Sequence, residues 1–296
     1  MKISAIIPTY NYARFVHRAV DSVLNQTYPV AEVIVVDDGS TDNTREALAA
    51  YGDRIKYVYQ ANRGLSGARN TGTRHASHPW VAFLDSDDWW LPEKIERQAK
   101  LVEADPSLDL VYTSKWLHFP DGEIRLHTAL TPDRLWPRFR YVNNITPSTV
   151  LARRQLMLAG GGFDESLRCC EDWELWVRLG PQIRYAAVME PVVAYQITPG
   201  SLSANVALEV ATAERIAEKT LLGGLAGWRR EYWRRRVMSA VLFRSSVACR
   251  DSDPAASRRY LLQSLQRWPS PFFLPARWAS VAWEGRRTLG LARSAG

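Results

Sequence analysis

Five acidic residues follow directly on two apolar runs. Asp37 and Asp38 come after Val33-Ile34-Val35-Val36, and Asp85, Asp87 and Asp88 come after Trp80-Val81-Ala82-Phe83-Leu84. Carboxylates that close repel and raise each other's pKa unless a cation joins them. No His or Cys stands near them, and an all-oxygen ligand set favours Mg2+ or Mn2+. Such ions complete their shells with water and phosphate oxygens, so the pattern points to a diphosphate ligand. The chain has no Walker loop and no G-x-G-x-x-G. Phosphate contacts are therefore expected from the metal and from Gly64-Leu65-Ser66-Gly67-Ala68-Arg69-Asn70, where backbone amides and Arg69 open a helix. Close packing of that helix on a sheet is the alternative use of Gly67 and Arg69. Further along, Glu171 and Asp172 begin a helical run, and a helix N-terminus favours carboxylates. Capping that helix would by itself account for both.

The elements that must position these groups alternate. Residues 3–7, 33–36, 55–59 and 80–84 read as strands, each an apolar or β-branched run. Residues 15–24 place Phe15, Val16, Ala19, Val20, Val23 and Leu24 at helical spacing, and further helices are expected at 44–50 and after Gly64. Strand and helix in alternation predict an α/β fold with a Rossmann-like, doubly wound and mostly parallel sheet. In such sheets ligands bind outside the carboxyl ends of the strands. Pro8-Thr9-Tyr10-Asn11, Asp37-Asp38 and Asp85-Ser86-Asp87-Asp88 all fall there. Residues 171–179 read as a helix with Leu175, Trp176 and Leu179 on one face.

Composition bounds the rest. The 296 residues are 46% apolar and 23% charged, which excludes disordered, collagen-like and polytopic membrane chains. Cys169, Cys170 and Cys249 have no zinc-type spacing and predict a reducing, cytosolic setting; the first two read as packing residues. No apolar run approaches the ~18 residues that would span a bilayer, and the N-terminal run is too short for a signal peptide. The net charge of +7 is uneven: residues 206–296 hold 16 Lys/Arg against 7 Asp/Glu, and residues 1–205 hold 22 against 24. Two regions follow: a catalytic domain over 1–205 and a basic, Trp-rich helical region over 206–296. Helices are expected over 206–222, 228–250, from Asp253-Pro254 onward, and over 276–292. The cluster Arg229, Arg230, Arg234, Arg235 and Arg236, with Trp228 and Trp233, suits an anionic membrane surface. A solvated face or a homodimer contact would use it equally well. No nucleic-acid module is visible. The histidines 17, 75, 78, 118 and 127 show no ligand spacing.

Taken together the chain resembles the family 2 glycosyltransferases of the GT-A fold. The matching segments are Ile6-Ile7-Pro8-Thr9-Tyr10-Asn11, Val33 through Asp42, Asn62-Arg63-Gly64 with Ala68-Arg69-Asn70, Phe83 through Asp88, and Gly162-Phe163-Asp164-Glu165 with Glu171-Asp172-Trp173. They fall in the family's order across roughly residues 1–200. The resemblance implies an inverting transfer of sugar from a nucleotide-diphosphate donor, UDP favoured by family habit, to a saccharide or lipid-linked saccharide acceptor in surface-glycan assembly. It gives Pro8, Thr9, Tyr10, Asp38, Asn62, Gly64, Arg69, Asp85 and Ser86 to the nucleotide sugar, with Asp38 accepting from the base. Asp85 and Asp87 form the D-x-D, Asp87 being the direct ligand of Mg2+ or Mn2+. Asp172 becomes the general base, and Glu171 and Trp173 face the acceptor, although core packing accounts for Trp173 as readily. Asp37 is expected to cap its turn, and Asp88 the helix near Pro92.

Two departures stand out. Many relatives carry a His before a Pro-Gly-Ser; here that stretch is Tyr195-Gln196-Ile197-Thr198-Pro199-Gly200-Ser201, and no His follows His127. Ser201 and Ser203 are the available substitutes for phosphate contact. Gly160-Gly161-Gly162 is glycine-rich beyond the usual pattern, which predicts a loose loop before Phe163. A lipid-linked acceptor would place the protein at the inner face of a membrane. Two other readings remain: a metal-dependent phosphohydrolase with Asp85 as nucleophile, and a non-catalytic sugar-nucleotide-binding protein. The first leaves Asp37-Asp38 unexplained.

Overall fold

A computed structural model describes residues 1–139, 141–198, 205–270 and 280. The chain divides into two compact units, one of residues 1–139 and 143–202, the other of 140–142 and 203–296. The expected helix over 276–292 lies outside the described residues, apart from position 280, as do Ser201 and Ser203.

The first unit begins β1 (Ile3–Thr9), α1 (Ala13–Leu24), β2 (Glu32–Asp37), α2 (Thr44–Ala49), β3 (Lys56–Tyr59), α3 (Gly64–His75) and β4 (Trp80–Phe83). It continues β5 (Trp89–Trp90), α4 (Lys94–Ala104), β6 (Leu110–His118), β7 (Ile124–His127) and α5 (Pro132–Phe139). It ends β8 (Leu151–Arg153), α6 (Arg154–Ala159), α7 (Glu171–Leu179) and β9 (Tyr185–Gln196). One sheet joins these strands in the order β3-β2-β1-β4-β8-β6-β9-β5, with β7 beside β6. The four strands from β3 to β4 are parallel, as the alternation predicts, and β1 is buried along its whole length. The parallel run stops at β8, which pairs antiparallel with both β4 and β6. Strand β8 is only three residues long, too short to show a period, so the mixed half could not be read from strand–helix alternation. Since β6 and β9 are parallel to each other, both run in the sense of β1. Their carboxyl ends therefore share the edge where β1, β2 and β4 end.

Register fixes what meets there. Thr9 pairs with Asp37 and Ile6 with Phe83, so the turns after β1, β2 and β4 open side by side. Helix α3 lies flush on β1: a Cβ at Gly72 would overlap Ile6. That close approach brings the first half of α3, and Arg69 with it, under the same edge.

The second unit contains α8 (Val206–Ile216), α9 (Gly227–Ala248) and α10 (Pro254–Arg267). Asp253 caps α10 by accepting from the Ala256 amide at 2.9 Å. Helices α9 and α10 meet through serines: Ser239 Oγ donates to the Ser264 carbonyl and Ser257 Oγ to the Ser246 carbonyl. The arginine cluster expected to face an anionic partner is largely spoken for. Arg230 and Arg234 pair with Glu218, Arg234 also with Glu214, and Arg235 with Glu231. Arg236 lies over the rings of Tyr232, Trp233, Trp268 and Tyr141. The sequence count missed this because the glutamates on α8 and α9 sit a helix apart or one turn away. Arg229 and the 74%-exposed Trp228 remain on the surface. Among the described residues no helix is long and apolar enough to cross a membrane.

Candidate active site

The turn after β4 carries three carboxylates with three different fates. Asp88 is buried and saturated: one oxygen accepts from Ser148 Oγ at 2.5 Å and the other from the Gln196 amide at 2.9 Å. Burial raises its pKa well above the usual range, and Asp87 and Asp85 add to the rise. The expected cap at Pro92 is therefore not its role; α4 starts at Lys94 with no side-chain cap. Asp85 gives one oxygen to Arg69 at 2.6 Å. Asp87 is half-buried and its carboxyl is pushed up to about 6 by burial and then by Asp85. Among the described residues its carboxylate accepts a hydrogen bond from Thr198 Oγ1, at 3.5 Å. Thr198 thus arrives, from the end of β9, at the position where relatives are expected to carry His.

These donors fit a hard divalent ion, with Asp87 and the remaining face of Asp85 as its holders. Among the described residues no three His, Cys, Asp or Glu side chains converge as a ready-made cage. Mg2+-type ions suit that arrangement, taking one or two carboxylates plus water and substrate phosphate.

Arg69 is the centre of the site. It is 1% exposed and bridges two carboxylates, donating to Asp85 at 2.6 Å and to Glu171 at 2.5 Å. Burial alone would lower its pKa; Asp85 and Glu171 outweigh that and hold the guanidinium above its ordinary value. Through its two amino groups Arg69 links the β4 turn to α7, while its buried Nε has no hydrogen-bond partner among the described residues. Glu171 is correspondingly turned inward to Arg69, not toward an acceptor.

Asp172 occupies the first turn of α7, which follows Cys170 in a left-handed conformation at φ 56°. Its Oδ1 accepts from the Trp173 amide at 2.8 Å and its Oδ2 from Asn143 Nδ2 at 2.6 Å. Burial and then Glu171 push its carboxyl up to about 7, against the opposing pull of Arg69. A carboxylate at that value is poised to accept a proton near neutrality. Asn143 gave no signal in sequence: it lies in an irregular segment, and only folding brings it to α7. Trp173 is 1% exposed and donates from Nε1 to the Phe139 carbonyl, which makes it a core residue and corrects its assignment to the acceptor.

Comparison with known proteins identifies the family and the fold. Residues 4–151, half of the chain, match the model of glycosyl transferase family 2, and residues 119–220 match that of glycosyltransferase-like family 2. The chain belongs to glycosyltransferase family 2. A glycosyltransferase of uncharacterised activity from Nostoc sp. is 46% identical over 126 residues, covering 41% of this chain and 38% of the relative. One from Rickettsia prowazekii is 32% identical over 184 residues, covering 60% and 58%. The chain thus spans only about two to three fifths of these relatives. Among solved structures, S. aureus TarS 1–349 in complex with UDP-GlcNAc aligns at TM-score 0.62 and 19% identity, covering 90% of this chain and 81% of that one. The mannosyltransferase PcManGT of Pyrobaculum calidifontis, in complex with GDP-Man and Mn2+, aligns at 0.60 and 20%, covering 97% and 80%. At such identities these two speak for the fold, which is GT-A-like.

Within this family 2 chain the other expected donor-site residues gather at the same edge. Thr9 is buried and its Oγ1 has no hydrogen-bond partner among the described residues, whereas Tyr10 is exposed. Pro8 and Ser86 are buried beside them. Asp38 uses one oxygen to accept from Gln60 Nε2 at 2.6 Å and the Arg63 amide at 2.9 Å. Asn62 accepts from the Gly64 amide, and Gly64 takes φ +77° to begin α3. Asp37 caps its turn, accepting from the Ser40 amide at 2.8 Å and from Tyr57 at 2.6 Å. The glycine-rich loop is pinned rather than loose. Asn70 exchanges hydrogen bonds with both backbone groups of Phe163, each at 2.8 Å, and Arg178 donates to the carbonyls of Gly160 and Gly162. Gly162, at φ +68°, is needed because a Cβ would overlap Asn70.

Proposed function

We propose that this glycosyltransferase moves a sugar, with inversion at the anomeric carbon, from a nucleoside-diphosphate sugar to a saccharide or lipid-linked saccharide acceptor in surface-glycan assembly. The observation that carries this is Asp172. It is half-buried, oriented by Asn143, set to about 7, and coupled through Glu171 and Arg69 to the carboxylates after β4. In the reaction Asp172 takes the acceptor hydroxyl's proton, and the acceptor oxygen bonds to the anomeric carbon. The bond from that carbon to the diphosphate oxygen breaks, its electron pair leaving with the nucleoside diphosphate. A single displacement inverts the centre and needs no covalent enzyme intermediate. A Mg2+ or Mn2+ ion held by Asp87 and Asp85 would supply positive charge to the departing diphosphate. Solved fold neighbours described as holding UDP, UDP-GlcNAc or GDP-Man with Mn2+ support a sugar-nucleotide donor, and UDP is the base we favour. A phosphohydrolase reading fares worse, because one oxygen of its would-be nucleophile Asp85 is tied to Arg69.

Thermal unfolding with UDP, GDP, dTDP and ADP, each with and without Mn2+, tests the donor. A ligand at ~100-fold its Kd adds about 2.7 kcal/mol of stability. One diphosphate should stabilise the protein in a Mn2+-dependent manner, and Asp87→Ala should abolish the metal-dependent part. No response to any nucleotide overturns the assignment.

A further inference from the structure

Lys115 is a charged residue in the middle of β6 that no motif predicts. It is 9% exposed, and its ammonium makes one hydrogen bond, to Thr146 Oγ1, while lying 4.3 Å from the ring centroid of Tyr195. Among the described residues no carboxylate lies within ion-pair distance of it. An ammonium has three donors, so two find no acceptor among the described residues, and an unsatisfied buried charge is costly. The strand pairing is arranged around this residue. The ladder between β6 and β9 runs from Ser114↔Pro191 to Trp116↔Ala194, so β9 uses three steps against two of β6 opposite Lys115. Irregularities of this kind re-aim side chains beside active sites.

Lys115 also sits in the field of both halves of the site. Burial lowers its ammonium to about 8, while Asp88, Asp172 and Asp85 oppose the fall. The first and last of these belong to the turn after β4, and the second is the proposed base. A sugar undergoing direct displacement must lie between its leaving diphosphate and that base.

We infer that Lys115 contacts the transferred sugar, its two unmatched N–H groups donating to that sugar's hydroxyl or carboxylate oxygens. This rests on the nucleotide-sugar reading of the site. The chemistry offered is one cation, braced by Thr146 and Tyr195, for an oxygen-rich group in a water-poor place.

The test compares sugar nucleotide with bare nucleotide. Kd values for UDP, UDP-glucose, UDP-N-acetylglucosamine and UDP-glucuronate are measured by calorimetry on the full chain with Mn2+, with GDP and GDP-mannose covering the other base. In Lys115→Met the ratio of sugar-nucleotide Kd to nucleotide Kd should rise about 10- to 100-fold, the scale of one charge-assisted hydrogen bond. The Kd for the bare nucleotide should stay within about threefold. A rise with UDP-glucose identifies a hydroxyl contact, and a rise confined to UDP-glucuronate a carboxylate contact. An unchanged ratio, an equal loss for nucleotide and sugar nucleotide, or an effect only on acceptor KM overturns the inference. Thr146→Val keeps the charge and removes its brace, so it should shift the ratio the same way by a smaller factor even if Lys115→Met does not fold. If the wild-type chain binds no nucleotide at all, the donor reading fails first and is recognisable as the cause.

Discussion

Replacing Arg69 by Met should be the most damaging single change at this site. The guanidinium is 1% exposed and contacts Asp85 at 2.6 Å and Glu171 at 2.5 Å. Those carboxylates keep only 20% and 10% of their side-chain exposure, so water cannot replace the lost partner well. Removing one member of a buried ion pair costs about 3–5 kcal/mol. At ~2–4 °C per kcal/mol for a domain of this size, Tm should fall by about 6–20 °C. Thermal unfolding followed by circular dichroism reads the loss directly. Adding Glu171→Gln to Arg69→Met should restore part of the loss, because one stranded charge is gone. A Tm change under about 2 °C, or strict additivity of the two substitutions, would refute the bridge.

The other expectations concern the base and the core. Asp172→Asn should lower transfer by ~10²–10⁴-fold while leaving nucleotide binding intact, measured by product formation and by calorimetry. In the wild type, kcat/KM should fall below a midpoint of about 7, where the raised carboxyl becomes protonated. Asn143→Ala removes a hydrogen bond that favours the ionised form of Asp172, so that acid limb should move to higher pH by roughly one unit; an unmoved limb separates Asn143 from the base. Trp173→Phe should cost about 1–3 kcal/mol by stranding the Phe139 carbonyl and should leave acceptor KM unchanged; a raised KM with unchanged Tm would return Trp173 to the acceptor side.

Much of the parallel half of the sheet was legible because each of its strands is a continuous apolar run ended by polar residues. Asp37, Asp38, Asp85, Asp87 and Asp88 all follow such runs, and the rule that ligands sit at carboxyl ends brings them together. Periodicity cannot say which carboxylate is consumed by the protein itself. Asp88, Asp85 and Asp87 fall within four consecutive positions, yet Ser148 and Gln196 hold the first, Arg69 holds the second, and among the described residues the third meets a distant threonine. All those partners lie in other elements. The mixed half of the sheet was illegible for a related reason. Strand β8 is three residues long and β5 two, and neither is long enough to show a period. Lys115 and Asn143 reach the site from β6 and from an irregular loop, where a lone Lys or Asn ordinarily reads as surface.

The pairing of Arg69 explains why the motif residues occur together. Arg69 from α3, Asp85 after β4 and Glu171 at the head of α7 form one buried ionic unit. Each is expensive to bury alone and tolerable only with the others. Asp172 is next to Glu171 in sequence, so whatever fixes Glu171 also fixes the start of α7 and with it the base. The carboxylates suited to a metal and diphosphate and the carboxylate suited to an acceptor proton are thus held in one frame through Arg69. Burial and neighbouring carboxylates push Asp87 up to about 6 and Asp172 up to about 7. Cation binding at the first would lower it, whereas the second needs to stay near neutrality to accept a proton and later release it. Arg69 sits on the side of the frame where it restrains Asp172 from rising further without supplying a direct partner that would pull it back to an ordinary carboxylate.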